Sequence, residues 1–405
     1  ARGAVEGLAG VVALFGILLR WFAAAILDFS DLPWWLAVAA VVSSACVLAA
    51  GTAVAGATVA RVAQRAGAGA GLAVSPVLWF GHELLRGVFP LPFPWAVLSA
   101  SAALTGPGSD VARDVGARGL SLGLAIGAAA LAAVLVAPRR VWPAPLLWLL
   151  MAGGLVLVDP PLQGGTPVRV GLVQGSLPRQ AHPLDKLRVY RELTAQAAVE
   201  GAQLVVWPES AVPHRLDSHP GFRREMERLA RRLDVDLLVG TLSEAPEAGA
   251  LHNSAALIRA SGGVATVSSK RQLVPFGEYL PMSWLFGGAQ ALAAEAGSFV
   301  PGERIVLHPS RGQRVACLIC YEAVFPGLVA EAVDEGAGLL ANITNDSWFG
   351  WTSGPRQHLA HSALRAAETG RPLVRAANSG ISVILGARGE PIGRLGLGER
   401  GVLTA

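Results

Sequence analysis

The sequence predicts two architectures in one chain: a domain of membrane-spanning α-helices over residues 1–158, then an α/β layered domain with a mixed sheet over 167–405. A Pro/Gly-rich linker at 159–166 joins them. Three observations carry this. Hydrophobic residues make up 52% of the chain and charged residues only 15%, where an ordinary soluble chain has about 25% charged. The apolar excess is uneven, because residues 1–158 are rich in Ala, Leu, Val and Gly while most Arg, Asp and Glu follow residue 166. After that point, short β-branched runs alternate with charged helical pattern.

In the first half, apolar segments fall at about 8–27, 34–60, 69–81, 120–137 and 141–158. A bilayer span needs about 20 mostly apolar residues, which the second and fourth supply best. The first holds Arg20, and the third is short and runs into His82, Glu83 and Arg86. Arg61 and Arg65 follow segment two, and Arg139 and Arg140 separate segments four and five, so both loops are assigned to the cytoplasm. The fifth span then exits outward and places the globular domain on the extracytoplasmic face. The chain begins Ala-Arg-Gly, without Met, so the helical domain is expected to be N-terminally truncated.

Between segments three and four lie Trp79-Phe80-Gly81-His82-Glu83-Leu84-Leu85-Arg86-Gly87 and Phe93-Pro94-Trp95. Glu83 and Arg86, three apart, suit pairing on one helical face. This stretch reads either as an interfacial aromatic belt with an ion pair or as a lip that admits a lipid.

In the second half, strands are expected at Val168–Val173, Gln203–Trp207, Asp236–Thr241, Ser254–Arg259, Val264–Ser268, Arg304–Leu307, Arg314–Cys320, Gly338–Asn345, Leu373–Ala377, Ser382–Leu385 and Ile392–Leu395. Helices are expected near 184–201, 219–232, 325–336 and 355–369, and the stretch 283–297 is ambiguous.

Charge and cysteine usage exclude several classes. The net charge is only +4 and no basic run reaches five residues, so nucleic-acid binding is not expected. Three cysteines do not make a disulfide framework. Cys317 and Cys320 have CxxC spacing without a second pair, and side chains three apart on a strand point to opposite faces. Cys317 is therefore assigned to the core. His358 and His361, three apart on an expected helix, resemble a metal pair only superficially. Arg365, Glu368, Arg371 and Arg375 read as structural ion pairs.

Three polar groups stand just beyond apolar strands: Glu209 after Leu204-Val205-Val206-Trp207-Pro208, Lys270 after Val264–Ser268, and Cys320 after Val315–Ile319. In layered α/β folds the carboxyl ends of strands converge on the usual ligand crevice. An acid, an amine and a thiol meeting there make a thiol-nucleophile site. The carboxylate takes the thiol proton, the thiolate attacks a carbonyl carbon, and the ammonium stabilises the oxyanion. Only two of the 33 basic side chains are lysines, Lys186 and Lys270, which singles out the second.

Trp207-Pro208-Glu209-Ser210, Lys270-Arg271-Gln272-Leu273-Val274-Pro275-Phe276-Gly277-Glu278-Tyr279 and Cys320-Tyr321-Glu322 together resemble the nitrilase superfamily. More closely, the chain resembles the membrane-bound branch of that superfamily, the apolipoprotein N-acyltransferases. Asn342-Ile343-Thr344-Asn345-Asp346-Ser347-Trp348-Phe349-Gly350, Glu368–Arg375 and Asn378-Ser379-Gly380-Ile381-Ser382 match that branch too. The resemblance implies a nitrilase-like αββα sandwich with Glu209, Lys270 and Cys320 as catalytic triad. It also implies Glu278, Glu322, Tyr321 and Asn345 as supporting residues. Trp207, Phe276, Tyr279, Trp348 and Phe349 are implied as lipid contacts, together with Glu83 and Arg86. The implied partners are a phospholipid acyl donor, a diacylglyceryl apolipoprotein acceptor and the lipid bilayer of a bacterial inner membrane, served by a monomer with no metal or organic cofactor. A membrane-tethered nitrilase-type hydrolase and a non-catalytic scaffold are the alternatives. Members of that family usually carry further spans on both sides of the catalytic domain, and this chain is expected to be a truncated or short form.

Overall fold

The computed structural model describes residues 2–29, 33–88, 91–136, 148, 166–178, 180–211, 215–216, 218–247, 249–279, 281 and 299–405. It divides into two compact units, one formed by residues 1–162 and 352–368, the other by 163–351 and 369–405.

In the first unit, α1 (Arg2–Leu18) and α2 (Arg20–Phe29) precede α3 (Trp34–Ala66), α4 (Ala68–Arg86), α5 (Leu98–Ala102) and α6 (Gly106–Val136). Two described helices, Trp34–Ala66 and Gly106–Leu135, are long and apolar enough to cross a bilayer. The pair Leu8–Leu18 and Arg20–Asp28, bent by 45°, makes a third if it counts as one broken span. These apolar helices make the chain a membrane protein. The expected fourth segment begins earlier than the hydropathy suggested, because residues 106–119 are already helical, with a kink at Gly116 (φ 72°). The expected fifth segment lies outside the described residues, apart from Trp148.

Small residues set how closely α3 and α4 approach. A Cβ on Gly71 would stand 2.8 Å from the Ala63 methyl, and one on Gly51 would stand 2.3 Å from the His82 ring. Glycines at such contacts let two apolar helices pack backbone to backbone. The short α5 and the first half of α6 bury Ala103, Ala112 and Ala117 against Ala360, Leu364 and Ala367 of the helix Gly354–Thr369. Trp95 Nε1 donates to Gln357 Oε1 at 2.6 Å, and the Trp95 ring packs beside His358 and His361 at 5.6 and 5.4 Å. The two histidines thus serve aromatic packing, and Arg365 pairs with Glu368 at 2.6 Å as expected.

Glu83 and Arg86 require a correction. Both are buried in the first unit. Glu83 accepts from Trp79 Nε1 (2.9 Å) and Leu98 N (2.8 Å), while Arg86 donates to the carbonyls of Trp95 (3.2 Å) and Ala96 (3.4 Å). They brace the turn after α4 from within instead of presenting a lip to lipid. The reason is that a charge on an apolar helix must find hydrogen-bond partners.

The second unit is built on two six-stranded sheets. The first has order β12-β1-β2-β3-β4-β5, from β1 (Val170–Gln174), β2 (Leu204–Val206), β3 (Asp236–Glu244), β4 (Leu251–Ile258), β5 (Val264–Ser269) and β12 (Gly401–Thr404). The second has order β11-β10-β9-β8-β7-β6, from β6 (Leu307–Ser310), β7 (Gln313–Ile319), β8 (Leu339–Thr344), β9 (Leu373–Ala377), β10 (Ser382–Leu385) and β11 (Pro391–Leu395). Strands β1, β2 and β3 run parallel, as do β7, β8 and β9; their outer neighbours are antiparallel.

Period-two alternation fills two different cores. Leu172, Leu204, Val206 and Leu238 meet Val315, Ile319, Ile343 and Val374 between the sheets. Val173, Val205, Leu237 and Val239 face the other way. There they pack on α7 (Pro183–Val199) and α8 (Pro220–Leu233) through Leu193, Ala197, Leu229 and Ala230. The helix α9 (Pro326–Asp334) lies against β7. The layering is the expected nitrilase-like α/β arrangement. Some details differ: β3 ends three residues later than expected, β4 starts three earlier, β6 starts three later, and β12 was not foreseen. Only four residues long at the chain's end, β12 is recruited by pairing with β1 more than two hundred residues upstream.

Polar bonds tie the edges of the two sheets. His308 on β6 is fully buried and bonds Thr266 Oγ1 at 2.6 Å and Ser268 Oγ at 2.8 Å on β5. Burial pulls this imidazole down from 6.5 to about 4. As pH falls, the unfolded chain takes up this proton before the folded one does. Stability is therefore expected to fall between pH 6.5 and about 4, by on the order of 3 kcal/mol, and then to level off. Urea unfolding at a series of pH values checks this. His308→Gln is expected to lose that slope, and an unchanged slope in the variant would assign it to other groups.

Candidate active site

Each chemically active side chain stands where a strand ends. Glu209 follows β2 after Trp207 and Pro208, and Gly240 of β3 makes room for it. A Cβ at Gly240 would lie 2.4 Å from Pro208 O and 2.7 Å from Glu209 Cα. Lys270 follows β5, Cys320 follows β7, and Asn345 follows β8. All lie in the second unit.

Glu209 and Lys270 are buried. Lys270 Nζ lies 2.8–2.9 Å from Glu278 and 3.5 Å from Glu209 Oε1. Glu209 Oε2 accepts the backbone N–H of Asn345 at 2.9 Å, and Glu278 Oε2 accepts Val274 N at 2.8 Å. Burial works against the Lys270 ammonium, but Glu278, Glu209 and Cys320 outweigh it and push the group above its ordinary range. Lys270 is therefore a permanent cation here.

Cys320 opens a one-turn 3-10 helix, Cys320–Val324, with φ +53°, a left-handed conformation that a non-glycine residue adopts at a cost of about 1–3 kcal/mol. Two side chains hold the turn. Asn342 Nδ2 donates to Leu318 O (2.9 Å) and Cys320 O (3.3 Å). The Glu322 carboxylate accepts Ile319 N at 2.7 Å, Arg271 N at 2.6 Å and Gln272 N at 3.2 Å. Glu322 thus ties the nucleophile turn to the loop that carries Lys270. With both oxygens committed to backbone donors, it positions the site and is not free to act as the base.

The register Ile319↔Ile343 between β7 and β8 sets Thr344 beside Cys320, and the Thr344 hydroxyl hydrogen bonds the thiol. Burial, then the charge of Glu209, raises Cys320 far above the usual thiol range, while Lys270 and Thr344 act in the opposite sense. At neutral pH the resting group is a thiol that needs a base at the moment of attack.

The opposite-face expectation for the two cysteines is corrected. Cys317 shares the inter-sheet face with Val315 and Ile319, and Cys320 packs against the same core. The strand has ended before Cys320, and its left-handed backbone re-aims the side chain. Cys317 still reads as an inert core thiol, because burial and the charges of Glu322 and Glu209 raise it well above the ordinary value.

Of the other expected residues, Trp207 is a further correction. It is 1% exposed, stacks on Tyr190 at 5.1 Å and donates to Thr194 Oγ1 at 2.9 Å, so it forms the core behind Glu209 and not a lipid contact. Phe349 is likewise buried, and so is Tyr321, edge-on to Phe325 at 4.9 Å. Phe276 is exposed on a tight loop that Phe276 N closes on Tyr279 O at 2.8 Å, and Trp348 lies in the turn Asp346–Phe349.

Three residues went unnoticed in the sequence reading of the site or were given another role: Asn253, Asp346 and Arg375. Asp346 and Arg375 form a buried ion pair at 2.6 Å behind Thr344. For Arg375 the available signal was a polar residue in a buried strand, whereas Asn253 lay outside the strand expected from Ser254, which in the structure begins at Leu251. Among the described residues no group of three or more His, Cys, Asp or Glu side chains is placed to hold a metal ion.

A buried carboxylate, a permanent ammonium and a strained thiol at the ends of facing sheets define an enzyme of the carbon–nitrogen hydrolase type. The family model described as carbon-nitrogen hydrolase matches residues 169–405, and that of the apolipoprotein N-acyltransferase N-terminal domain matches 1–130. The chain is 34% identical to the apolipoprotein N-acyltransferase of Geobacter metallireducens over 99% of its own length and 80% of that protein's. With the Nitrosomonas europaea protein of the same name it shares 32% identity over 97% and 80%. Among solved structures, an amidase from Nesterenkonia sp. is 27% identical over 61% of this chain and 93% of that one, with a TM-score of 0.47. The chain belongs to the apolipoprotein N-acyltransferase family and is an acyltransferase.

Proposed function

We propose that the protein transfers one acyl chain from a phospholipid to the α-amine of a diacylglyceryl-cysteine at the N-terminus of an apolipoprotein, through a thioester on Cys320. Glu209 takes the Cys320 proton and the sulfur attacks the ester carbonyl carbon. Lys270, with backbone N–H groups, stabilises the oxyanion. As the tetrahedral species collapses, the C–O bond breaks and lysophospholipid leaves with the proton that Glu209 returns. The acceptor amine then attacks the thioester, the C–S bond breaks, and the thiol is regenerated. The reading rests on one observation above the others: the likeness to named acyltransferases runs through both the helical and the catalytic regions, not the catalytic one alone.

In this reading residues 1–158 are the membrane domain, 159–166 the linker and 167–405 the catalytic domain. The enzyme is a multi-pass monomer of the bacterial cytoplasmic membrane with its catalytic domain outside. Exposed Phe276, with Tyr279 and Trp348, serves as lipid contact. The test is transfer in detergent micelles from a phospholipid with isotopically labelled acyl chains to a synthetic diacylglyceryl-cysteine peptide. The expected product is an N-acylated peptide whose label resists hydroxylamine, with one lysophospholipid per peptide. Labelled free fatty acid in its place would make the protein a hydrolase, and no turnover of either kind would overturn the reading.

A further inference from the structure

Asn253 is the third residue of β4, between His252 and Ser254, and is 5% exposed. Its single side-chain amide nitrogen donates to two carboxylates, Glu209 Oε1 at 2.7 Å and Glu278 Oε1 at 2.9 Å. Its backbone carbonyl accepts Lys270 N at 2.7 Å. One residue therefore touches three charged residues of the site. The amide's orientation follows from chemistry, since the opposite one would set Oδ1 against two anions.

Two further observations give this placement meaning. Among the described residues Asn253 Oδ1 is buried with no hydrogen-bond partner, a cost that a side chain chosen for packing alone avoids. The distances around Lys270 are also unequal: its ammonium is close to Glu278 but 3.5 Å from Glu209. Glu209 receives its shortest bond from the neutral amide instead of from the cation. Two buried carboxylates around one ammonium leave an excess negative charge, and such a pair tends to hold a proton between them.

We propose that Asn253 is a positioning residue of the reaction, whose amide donates to both Glu209 and Glu278 beside Lys270 and holds Glu209 in place to accept the Cys320 proton. The inference rests on Glu209 and Cys320 being base and nucleophile. The groups facing Glu209 are Lys270 after β5, Glu278 from the 274–279 loop, the Asn345 N–H after β8, Cys317 from β7, Cys320 after it and Asn253 itself.

The experiment uses the whole chain in detergent and needs no lipid. Acylation of Cys320 by p-nitrophenyl butyrate is followed as a stoichiometric burst from pH 5 to 10. In Asn253→Leu, removal of two donors disfavours the charged carboxylates, so the acid limb of the burst rate is expected to rise by at least one pH unit. Below the shifted limb the rate is expected to fall about tenfold for each pH unit of the shift, and above it to recover towards wild type. Asn253→Asp keeps the shape and adds a third carboxyl, and its limb is expected to move further up. This variant carries the test if the leucine variant does not fold. A merely structural role lowers the rate equally at every pH and leaves the limb where it was; that result in either folded variant overturns the proposal. A wild-type protein that shows no burst would instead count against the assignment of base and nucleophile.

Discussion

Phospholipid alone, offered to the purified protein, is expected to leave one acyl chain on Cys320 as a hydroxylamine-labile thioester, and Cys320→Ala is expected to leave none. Intact-protein mass spectrometry reads both. The partial losses are as informative. Burial and Glu209 hold Cys320 in the thiol form at neutral pH, so an acceptor for its proton is indispensable, and Glu209→Gln is expected to slow acylation by about 10²–10⁴-fold. Lys270→Met removes the cation from the oxyanion and is expected to cost about 10²–10³-fold. It also strands Glu209 and Glu278 in a buried site, so its thermal transition must be measured beside its rate. Because its neighbours hold Lys270 above its ordinary range, no alkaline loss of acylation up to pH 10 is expected from this group. A thioester that forms at an unchanged rate in Cys320→Ala would place the nucleophile elsewhere.

That Glu209, Lys270 and Cys320 stand just beyond apolar strands was legible from β-branched composition, while the catalytic roles proposed for them came from the resemblance and not from that pattern. Glu278 and Glu322 were legible only as acids near the motif, since carboxylates bonded to backbone N–H groups of distant loops leave no local pattern. The three backbone donors on Glu322 come from residues 271, 272 and 319. Trp207 misled for a related reason. The resemblance implied it as a lipid contact, yet the alternation that runs through β2 turns it towards α7, where Thr194 satisfies its N–H. The short β12 escaped because its partner β1 lies at the other end of the domain. In the helical unit, hydropathy located α3 well. It missed the beginning of α6, where Asp110, Arg113 and Asp114 interrupt the apolar run but Arg113 pairs with Asp110 at 3.7 Å and with Asp114 at 3.3 Å.

The buried pair Arg375–Asp346 carries the largest expected effect on stability. Both side chains are 0% exposed, and the bond between them is 2.6 Å. Asp346 also accepts from Thr344 Oγ1 at 2.9 Å, and Arg375 bonds Asn342 Oδ1. Each of those two partners touches Cys320, Thr344 at the thiol and Asn342 at the carbonyl. Gly380 leaves the space the Asp346 carboxylate occupies, since a Cβ there would stand 2.4 Å from Oδ2. Arg375→Met strands a buried carboxylate and is expected to destabilise the catalytic unit by about 3–5 kcal/mol. The double variant Arg375→Met, Asp346→Leu removes both charges, so it is expected to be more stable than the single one, with a coupling of about 1–3 kcal/mol in the cycle. The double variant is nevertheless expected to acylate slowly, because Thr344 and Asn342 lose the groups that orient them and the strained turn at Cys320 loses its support. Denaturant unfolding of the four proteins, with the burst rate measured on each, separates the two effects. A single variant within 1 kcal/mol of wild type would mean that water reaches Asp346, and full burst activity in the double variant would mean that the turn holds itself.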